Sequence, residues 1–314
     1  MKKKILSSVA LVATLVLSLV SCTDEYKYDG VGAADAEDVA GVYFPSTNKA
    51  SLDLEVVDPL TATFKVARLN TKGALTVPLI VETNDDNVFQ IPASATFADG
   101  EAEATVDMTF PNAEIGKTYN FTITVPREYI NSYKQVNGSP IYNGSAIRLQ
   151  WESIGQGYWV DGTLSVLGVQ KLPFVISNIE KAVLADEVRF RFVSPFAKFS
   201  TQQEAGTGAY LGLPMNGFTF DASTQMLVSV KKKTATFLKG DLGCTHGTYG
   251  AFSVVNGESA GTYNENGGYI KFGIDSYQVQ IENIPALQDP LESTYIFLSK
   301  EKYNAYMTTH PNAW

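Results

Sequence analysis

The sequence predicts an all-β protein built from two domains. Its 314 residues are a typical length for about two domains. Hydrophobic residues make up 45% of the chain and aromatic residues 11%, whereas charged residues make up only 18%, a composition that favours packed strands over long, charged helices. From residue 41 onwards, apolar and polar residues alternate in many short runs, as they do in half-buried antiparallel strands.

The amino terminus has the features of a signal peptide over residues 1–21. Three lysines at positions 2–4 form a basic start, and residues 5–20 form an apolar run that is followed by small residues. This run has 16 residues, fewer than the ~20 that a membrane-spanning helix needs. An uncleaved membrane anchor is the alternative, which the hydroxyl-bearing residues within the run disfavour.

The "LVSC" stretch that ends at Cys22 resembles the lipobox of bacterial lipoproteins. The resemblance implies that Cys22 is acylated and becomes the first residue of the mature chain. The "TDE" that follows is similar to the acidic tether of Bacteroidota surface lipoproteins, which implies a lipid anchor in the outer membrane and a position facing the cell exterior. Residues 22–40 are rich in Gly, Ala, Asp and Glu and are predicted to form a flexible acidic tether.

The charge balance argues against nucleic acid as a partner. Without the lysines at positions 2–4, the chain has 21 basic and 33 acidic residues, a net charge of −12. Such a surface repels phosphate backbones and anionic headgroups, so membrane contact is expected through the N-terminal lipid. Residues 231–233 are three consecutive lysines, which are predicted to form an exposed turn or edge.

Residues 41–126 are predicted to form an immunoglobulin-like β-sandwich, because seven or eight short strands follow one another within about 85 residues. Asp99-Gly100 predicts a tight hairpin turn between two of these strands. Pro78 predicts that its own strand lies at an edge or carries a bulge. The clearest alternating runs are 62–66, 75–81, 102–110 and 119–125.

Residues 127–146 interrupt the alternation with Pro, Gly, Asn and Ser and are predicted to connect the two domains. Strand-like runs resume in residues 147–314, which are predicted to form a second all-β domain, either a sandwich or a barrel. Residues 300–311 are compatible with a short terminal helix.

Three stretches carry a resemblance to a known class of proteins. "IPASATFADGEAEATVDMTF" in the first domain, and "WESIGQGYWVDG" with "VRFRFVSPF" in the second, resemble the two domains of uncharacterised Bacteroidota outer-membrane surface lipoproteins. The resemblance covers most of the mature chain. These proteins are similar to accessory lipoproteins of starch-utilisation-system-like loci, which implies glycan capture beside outer-membrane transporter components.

No motif in the sequence predicts a cofactor, a metal site or catalysis. The glycine-rich "GTGAYLG" lacks the Lys and Ser or Thr of a phosphate loop, and no nucleophile elbow is present. Cys244, His246 and His310 have no zinc-ligand spacing, and Cys244 is predicted to be a buried, inert thiol. A glycosidase would need two nearby carboxylates, which no sequence spacing encodes. The candidate carboxylates are Asp161, Asp241, Glu258, Glu265 and Asp275.

Aromatic side chains beside amides are the clearest indication of a binding site. Sugar rings stack their apolar faces on flat aromatic rings, while amides and carboxylates bind the sugar hydroxyls. Two Gly-rich stretches, "GQGYWVDG" and "YGAFSVVNGESAGTYNENGGYIKF", place such residues on predicted loops. The alternative is that these rings, above all the tryptophan, pack in the core. The candidate ligand-binding residues are Tyr158, Trp159, Tyr249, Tyr263, Tyr269, Asn264 and Asn266.

The sequence therefore predicts a surface-anchored, non-catalytic binding lipoprotein that captures glycans or glycopeptides. The alternative is a structural or adhesive module that binds protein through an exposed strand edge or an apolar patch. A glycan-processing enzyme is the third reading, and it requires a cleft with two facing carboxylates.

Overall fold

The computed structural model describes residues 39–167, 173–197 and 217–313. Within these ranges the chain is predominantly β-structure, with one α-helix near the carboxyl end. The strands form a sandwich and a closed barrel. This confirms the predicted all-β fold and shows that the second unit is a barrel.

Ten strands build the sandwich. They are β1 (Val42–Pro45), β2 (Ser51–Glu55), β3 (Thr61–Arg68), β4 (Leu75–Pro78), β5 (Ile80–Asn84), β6 (Ser94–Phe97), β7 (Glu103–Thr109), β8 (Thr118–Thr124), β9 (Gly138–Ser139) and β10 (Ile141–Leu149). One sheet has the order β7-β3-β1-β9 and the other the order β2-β10-β8-β5, while β4 and β6 form a two-stranded sheet.

The alternation in the sequence explains the core of the sandwich. In β3, β7 and β8, every second residue is apolar and faces the opposite sheet, as predicted. Each fully buried side chain of this kind stabilises the fold by roughly 1.5–3 kcal/mol. The edge strand β5 departs from the pattern, because Ile80 and Val81 are both exposed. The buried residues of the three strands include Phe64, Val66, Ala104, Val106, Met108, Tyr119, Phe121 and Ile123.

The Asp99-Gly100 turn is present, but the strands that it joins do not pair with each other. Gly100 has a φ of +83°, and Asp99 Oδ1 accepts a hydrogen bond from the N–H of Gly73 at 2.6 Å. Because β6 pairs with β4 and β7 pairs with β3, the predicted hairpin is wrong and the chain changes sheets at this turn. The prediction for Pro78 is confirmed, because β4 ends there in a two-stranded sheet.

Residues 127–146 are not a linker, which corrects the predicted connector. They contain β9 and the first part of β10, a strand that lies between β8 and β2 in the sandwich. The link to the barrel is residues 150–151, between β10 and β11 (Glu152–Val160). One glycine of the stretch serves close packing: a Cβ on Gly144 would lie 2.2 Å from the ring of Phe121.

Twelve further strands complete the second unit. They are β12 (Pro173–Val183), β13 (Val188–Val193), β14 (Phe218–Phe220), β15 (Gln225–Lys231), β16 (Thr234–Lys239), β17 (Asp241–His246), β18 (Gly250–Asn256), β19 (Gly261–Asn264), β20 (Tyr269–Phe272), β21 (Tyr277–Ile281), β22 (Ile284–Gln288) and β23 (Thr294–Phe297). The barrel has the order β11-β12-β13-β15-β16-β19-β20-β23, and a five-stranded sheet has the order β14-β17-β18-β21-β22. Short 3-10 helices lie at Asp85–Asn87, Arg127–Tyr129 and Thr163–Leu167.

Aromatic side chains fill the barrel. Trp159 is fully buried, with its ring centroid 6.1 Å from that of Phe174 and 5.3 Å from that of Phe196. The same core continues into the five-stranded sheet through Phe252 and Tyr277. A closed eight-stranded barrel is just wide enough for its side chains to fill it, and the described residues do so here.

The α-helix near the carboxyl end, α1 (Lys300–Thr309), covers part of the outer face of the barrel, which confirms the expected terminal helix. Ser299 caps it, since its side chain accepts a hydrogen bond from the N–H of Lys302 at 3.2 Å. Tyr303 is buried against the barrel and stacks on Tyr158, with ring centroids 5.0 Å apart and planes 8° apart. At this end of β11, the outward-facing Tyr158 and Val160 are therefore as buried as the inward-facing Trp159.

Two arginines on β13 join the barrel to the sandwich. Asp53 and Glu55 alternate on β2, and Arg189 and Arg191 alternate on β13, so each pair lies on one face of its strand. Arg189 Nη1 lies 2.7 Å from Asp53 Oδ2, and Arg191 forms an ion pair with Glu55. Both arginine side chains are only 12–13% exposed, so water screens these pairs less than ordinary surface pairs.

Arg191 also ties the junction to the start of the barrel. It forms a second ion pair, with Glu180 of β12. Its guanidinium carbon lies 4.4 Å from the centre of the Trp151 ring, within the range of a cation–π interaction. The ring of Trp151, directly before the first barrel strand, thus packs on the same arginine that contacts the sandwich.

Replacing Arg191 with alanine is expected to lower the free energy of unfolding by about 1–3 kcal/mol, because Glu180 loses its cation in a partly buried position and Trp151 loses the stacked guanidinium. Urea unfolding followed by tryptophan fluorescence measures the change. Lys65→Ala is the control, since Lys65 and Glu103 form a half-exposed ion pair and little change is expected. Equal destabilisation by both variants would contradict the role assigned to Arg191.

Candidate functional site

The hairpin of β19 and β20 brings together four of the seven predicted ligand-binding residues. Tyr263 and Asn264 end β19, Tyr269 begins β20, and Asn266 lies in the turn between the strands. Asn264 lies directly opposite Tyr269, so these two side chains share one face of the hairpin. Tyr263 is one residue earlier and therefore points to the other face, towards the barrel core.

The turn of this hairpin is held by hydrogen bonds and by glycine. Asn264 Oδ1 accepts a hydrogen bond from the N–H of Gly267 at 2.7 Å. Gly268 has a φ of +62°, which glycine adopts without strain, and a Cβ there would lie 2.6 Å from Cγ of Lys302. The turn is therefore tight, packs against α1 and carries Asn266 near its tip.

Two clefts flank the hairpin and share Asn264, Asn266 and Tyr269. The first has a volume of about 480 Å³ and is named the lysine cleft. The second has a volume of about 270 Å³ and is named the helix cleft. Beyond the shared residues, Lys233, Tyr263 and Glu265 line the lysine cleft. Lys302, Tyr306, Thr309 and His310 line the helix cleft.

Stacked rings form one wall of the helix cleft. The ring centroid of Tyr306 lies 5.4 Å from that of Tyr269, with the planes at 76°. His310 stacks on Tyr306 at 4.2 Å with its plane tilted by only 9°. Burial, followed by the neighbouring Tyr295 and Tyr269 hydroxyls, raises the pKa of Tyr306 to about 12. The hydroxyl of Tyr306 is consequently uncharged at neutral pH.

Polar groups surround these rings. Asn264 Nδ2 donates a hydrogen bond to the hydroxyl of Tyr269 at 3.2 Å, and Lys302 Nζ donates one to the carbonyl of Asn266 at 3.0 Å. The side-chain amide of Asn266 and the carboxylate of Glu265 have no hydrogen-bond or ion-pair partner in the part of the chain that the structure describes. Both groups are exposed and are free to bind a ligand.

Tyr263 anchors the hairpin to the barrel. Its ring centroid lies 5.9 Å from that of the buried Phe190, and its N–H donates a hydrogen bond to the carbonyl of Lys233 at 2.8 Å. Burial, and secondarily the charge of Glu265, raises the pKa of Tyr263. Tyr263 thus stays neutral and connects the lysine cleft to the core.

The remaining predicted residues lie elsewhere. Tyr158 and Trp159 are 2% and 0% exposed, the first under α1 and the second inside the barrel, and this burial removes both rings from the candidate site. Tyr249 is exposed and stacks on His246 at 4.8 Å, in the turn between β17 and β18, and it lines neither hairpin cleft. Cys22 lies outside the described residues.

Three site residues on or beside α1 were not among the candidates. Lys302, Tyr306 and His310 follow one another at intervals of four and therefore lie on one helix face. That spacing is readable in "KEKYNAYMTTH", and it identifies a common face. What it does not reveal is that this face meets the β19–β20 hairpin.

Two further clefts lie away from the hairpin. One, of about 630 Å³ and named the sandwich cleft, is lined by Asn137, Ile141 and Asn143 among other residues, none of them charged. The other, of about 250 Å³, is lined by Glu258 and Asp275, two of the candidate carboxylates, together with a third acid. The acidic cleft lies beside the five-stranded sheet and shares no lining residue with the two hairpin clefts.

Two buried groups have structural roles. Asp161 accepts hydrogen bonds from the N–H and hydroxyl of Thr163, at 2.8 and 2.5 Å, and so begins the 3-10 helix that follows it. Burial raises the pKa of Asp161, although these hydrogen bonds oppose the rise. Burial also raises the pKa of Cys244 to about 12, which confirms the predicted inert thiol.

In residues 39–167, 173–197 and 217–313, no group of three or more His, Cys, Asp or Glu side chains is placed to hold a metal ion. Over the same ranges, no helix has the length and apolar character needed to cross a membrane. His246 lies at the end of β17 and His310 directly follows α1.

Comparisons with known proteins add little. No family model and no curated protein matches the chain. An auxiliary nutrient binding protein from Bacteroides thetaiotaomicron is 9% identical over 79% of this chain and 89% of that chain, with a TM-score of 0.26. The YadV chaperone is 7% identical over 81% and 98%, with a TM-score of 0.26, and the secreted serine protease VesC from Vibrio cholerae is 8% identical over 84% and 47%, with a TM-score of 0.22. TM-scores this low do not establish a fold shared with these proteins.

The raised pKa of Tyr306 predicts a loss of stability at alkaline pH. An unfolded tyrosine ionises near pH 10.0, whereas Tyr306 in the fold ionises near about 12, so its contribution to stability is complete below pH 10 and is lost as the pH rises towards 12. Tyr306→Phe keeps the ring and removes this titration. The variant is expected to lose less stability than the wild type between pH 9 and pH 11.5, as measured by thermal unfolding.

The control is Tyr249→Phe, which removes the hydroxyl of an exposed ring. Its pH dependence is expected to match that of the wild type. If Tyr306→Phe also matched the wild type, the assigned environment of Tyr306 would be wrong.

Proposed function

We propose that this protein is a non-catalytic binding protein that captures glycans or glycopeptides at the β19–β20 hairpin. The observation that carries the proposal is the position of Tyr269, Asn264 and Asn266 between two clefts that both open beside one turn. Rings and amides are the two side-chain types that a sugar needs, and the hairpin supplies both within six residues.

The helix cleft suits a sugar ring. Tyr269 and Tyr306 offer aromatic surface against which the apolar face of a pyranose would pack. The amide of Asn266 would donate to and accept from hydroxyl groups, and the carboxylate of Glu265, in the adjoining lysine cleft, would accept from hydroxyl groups of the next sugar. Because neither group has a partner among the described residues, binding would not have to break an existing hydrogen bond.

The arrangement of the clefts suits a chain better than a compact molecule. Their volumes, about 270 and 480 Å³, are near the lower part of the range for small-ligand sites. They lie on two sides of the same ridge of residues. An oligosaccharide crossing the ridge would occupy both clefts and contact Asn264, Asn266 and Tyr269 from each side.

The proposed setting is the outer surface of the outer membrane. Removal of residues 1–21 and acylation of Cys22 would anchor the chain, and residues 22–40 would hold the folded part away from the membrane. The sandwich would act as a spacer and the barrel would present the site. Capture beside outer-membrane transporter components fits this position, and the net charge of −12 speaks against a nucleic-acid partner.

The test is a glycan array probed with the complete mature chain, followed by calorimetric titration of the best ligand. Asn266→Ala removes an exposed amide without removing a hydrogen bond of the fold, and it is expected to weaken binding by about 10-fold, the cost of one or two lost hydrogen bonds. Asn112→Ala, an exposed asparagine of the sandwich, is the matched control and is expected to bind like the wild type.

Two outcomes would contradict the proposal. One is that the protein binds no glycan on the array. The other is equal affinity of the Asn266→Ala and Asn112→Ala variants, which would place the glycan elsewhere on the molecule.

A peptide-binding role is the second candidate, and the sandwich cleft favours it. β2 begins opposite Ser145 of β10, so residues 141–144 pair with β8 on one side and, among the described residues, with no strand on the other. Pro140 O accepts a hydrogen bond from the N–H of Val125 on the β8 side, which turns the backbone of Asn143 to the open side. An extended, uncharged peptide can add to such an edge.

Hydrogen exchange distinguishes this second role. Addition of the uncharged peptide acetyl-VTVTV-amide is expected to slow exchange of the Asn143 amide by about 10-fold or more, because a strand pairing there would protect it. The amide of Ser132, in a loop outside the cleft, is the internal control. Unchanged exchange at Asn143 at saturating peptide would remove this candidate.

A further inference from the structure

The lysine cleft is bordered by an unfavourable turn. β15 and β16 are joined by a two-residue loop, Lys232-Lys233, in which the φ angles are +50° and +69°. A two-residue hairpin loop with both φ angles positive strongly prefers Asn and Gly, which adopt this backbone with little strain. Lysine has no such preference, so two consecutive lysines here are costly for the fold. Costly backbone of this kind is concentrated at functional sites.

The second lysine of the loop belongs to the candidate site. The carbonyl of Lys233 accepts a hydrogen bond from the N–H of Tyr263, which fixes the loop against β19. Lys233 lines the lysine cleft together with Tyr263, Glu265 and Asn266, whereas Lys232 does not. The loop therefore holds one cation at the cleft and one beside it.

Lys233 is also an unpaired cation in an acidic protein. Nζ of the neighbouring Lys231 lies 2.5 Å from Oδ2 of Asp186, and Lys232 interacts electrostatically with the same carboxylate. Within the described residues, Lys233 has no carboxylate within ion-pair distance, including Glu265 of the same cleft. The chain carries 33 acidic residues against 24 basic ones, so a lysine without an acidic partner is notable in this protein.

We infer that the glycan captured at this hairpin is acidic, carrying a carboxylate or a sulfate ester that binds Lys233. This inference rests on the proposed function and names its substrate class. The ammonium group of Lys233 forms charge-assisted hydrogen bonds with the anionic group, while Glu265 and Asn266 bind the hydroxyl groups of the same or the next sugar. The unfavourable loop is retained because it holds the ammonium group at the cleft.

Two matched pairs of glycans distinguish a carboxylate from a sulfate ester as the group that binds Lys233. Oligogalacturonate is titrated beside its methyl ester, which has the same sugars without the charge. Carrageenan oligosaccharide, which carries sulfate esters and no carboxylate, is titrated beside its desulfated, neutral form. For the pair that contains the correct anion, the charged member is expected to bind about 10-fold more tightly at low salt, and the difference is expected to shrink as salt is raised.

The two lysines of the loop provide the variant and its control. Lys233→Gln removes the charge and keeps an unbranched stem with a polar end, one atom shorter, and it is expected to reduce the affinity for the charged glycan to that for the neutral one. Lys232→Gln makes the same change in the same strained loop and is expected to change affinity by less than about 2-fold, because Lys232 does not line the cleft.

A double variant tests why the loop is retained. Lys232→Asn with Lys233→Gly supplies the residues that the backbone prefers, and it is expected to raise the unfolding temperature while abolishing the preference for the charged glycan. Because this variant is expected to be more stable, loss of binding could not be attributed to failure to fold.

The outcomes separate this inference from the proposed function. Equal affinity for the charged and neutral members of both pairs, or equal effects of Lys233→Gln and Lys232→Gln, would overturn the inference. If neutral glycans still bound and Asn266→Ala still weakened their binding, the proposed function would hold without the inference about acidic glycans. If no glycan bound at all, the proposed function itself would fall.

Discussion

The closed, filled barrel is the constraint on which the rest of the second unit depends. Trp159, Phe174 and Phe196 occupy its interior, so the described barrel leaves no room inside for a ligand. The candidate site lies on the outside, beside the strand ends and the helix. Closure also fixes the neighbours of each strand: it places β20 between β19 and β23, and so brings the β19–β20 hairpin to the end of α1.

The outer face of the barrel links stability to the candidate site. Phe297, Tyr303 and Tyr269 belong to one aromatic cluster beneath α1, and Tyr306 packs on its edge. The rings that dock the helix are therefore continuous with the rings that line the helix cleft. A change in this cluster acts on the fold and on the cleft together, whereas the amides at the turn can be changed with little effect on the fold.

The sequence predicted what depends on local pattern and missed what depends on distant partners. The period of two located the strands, whereas Gly and Asn around Tyr263 and Tyr269 predicted loops where the structure has two paired strands and a turn. The turn at Asp99-Gly100 was recognised, but its strands pair elsewhere, because a turn residue sets the local path and not the partner. Tyr158 and Trp159 were candidate ligand-binding residues, with packing in the core as the alternative. Trp159 is buried inside the barrel, and Tyr158 is buried because a helix some 140 residues later in the chain covers the outer face of β11.

The junction at Arg189 and Arg191 has a mechanical consequence. A link of only residues 150–151, clamped by ion pairs to β2, gives the two units little freedom to bend or swivel against each other. Sandwich and barrel should therefore reorient as a single particle, with one rotational correlation time.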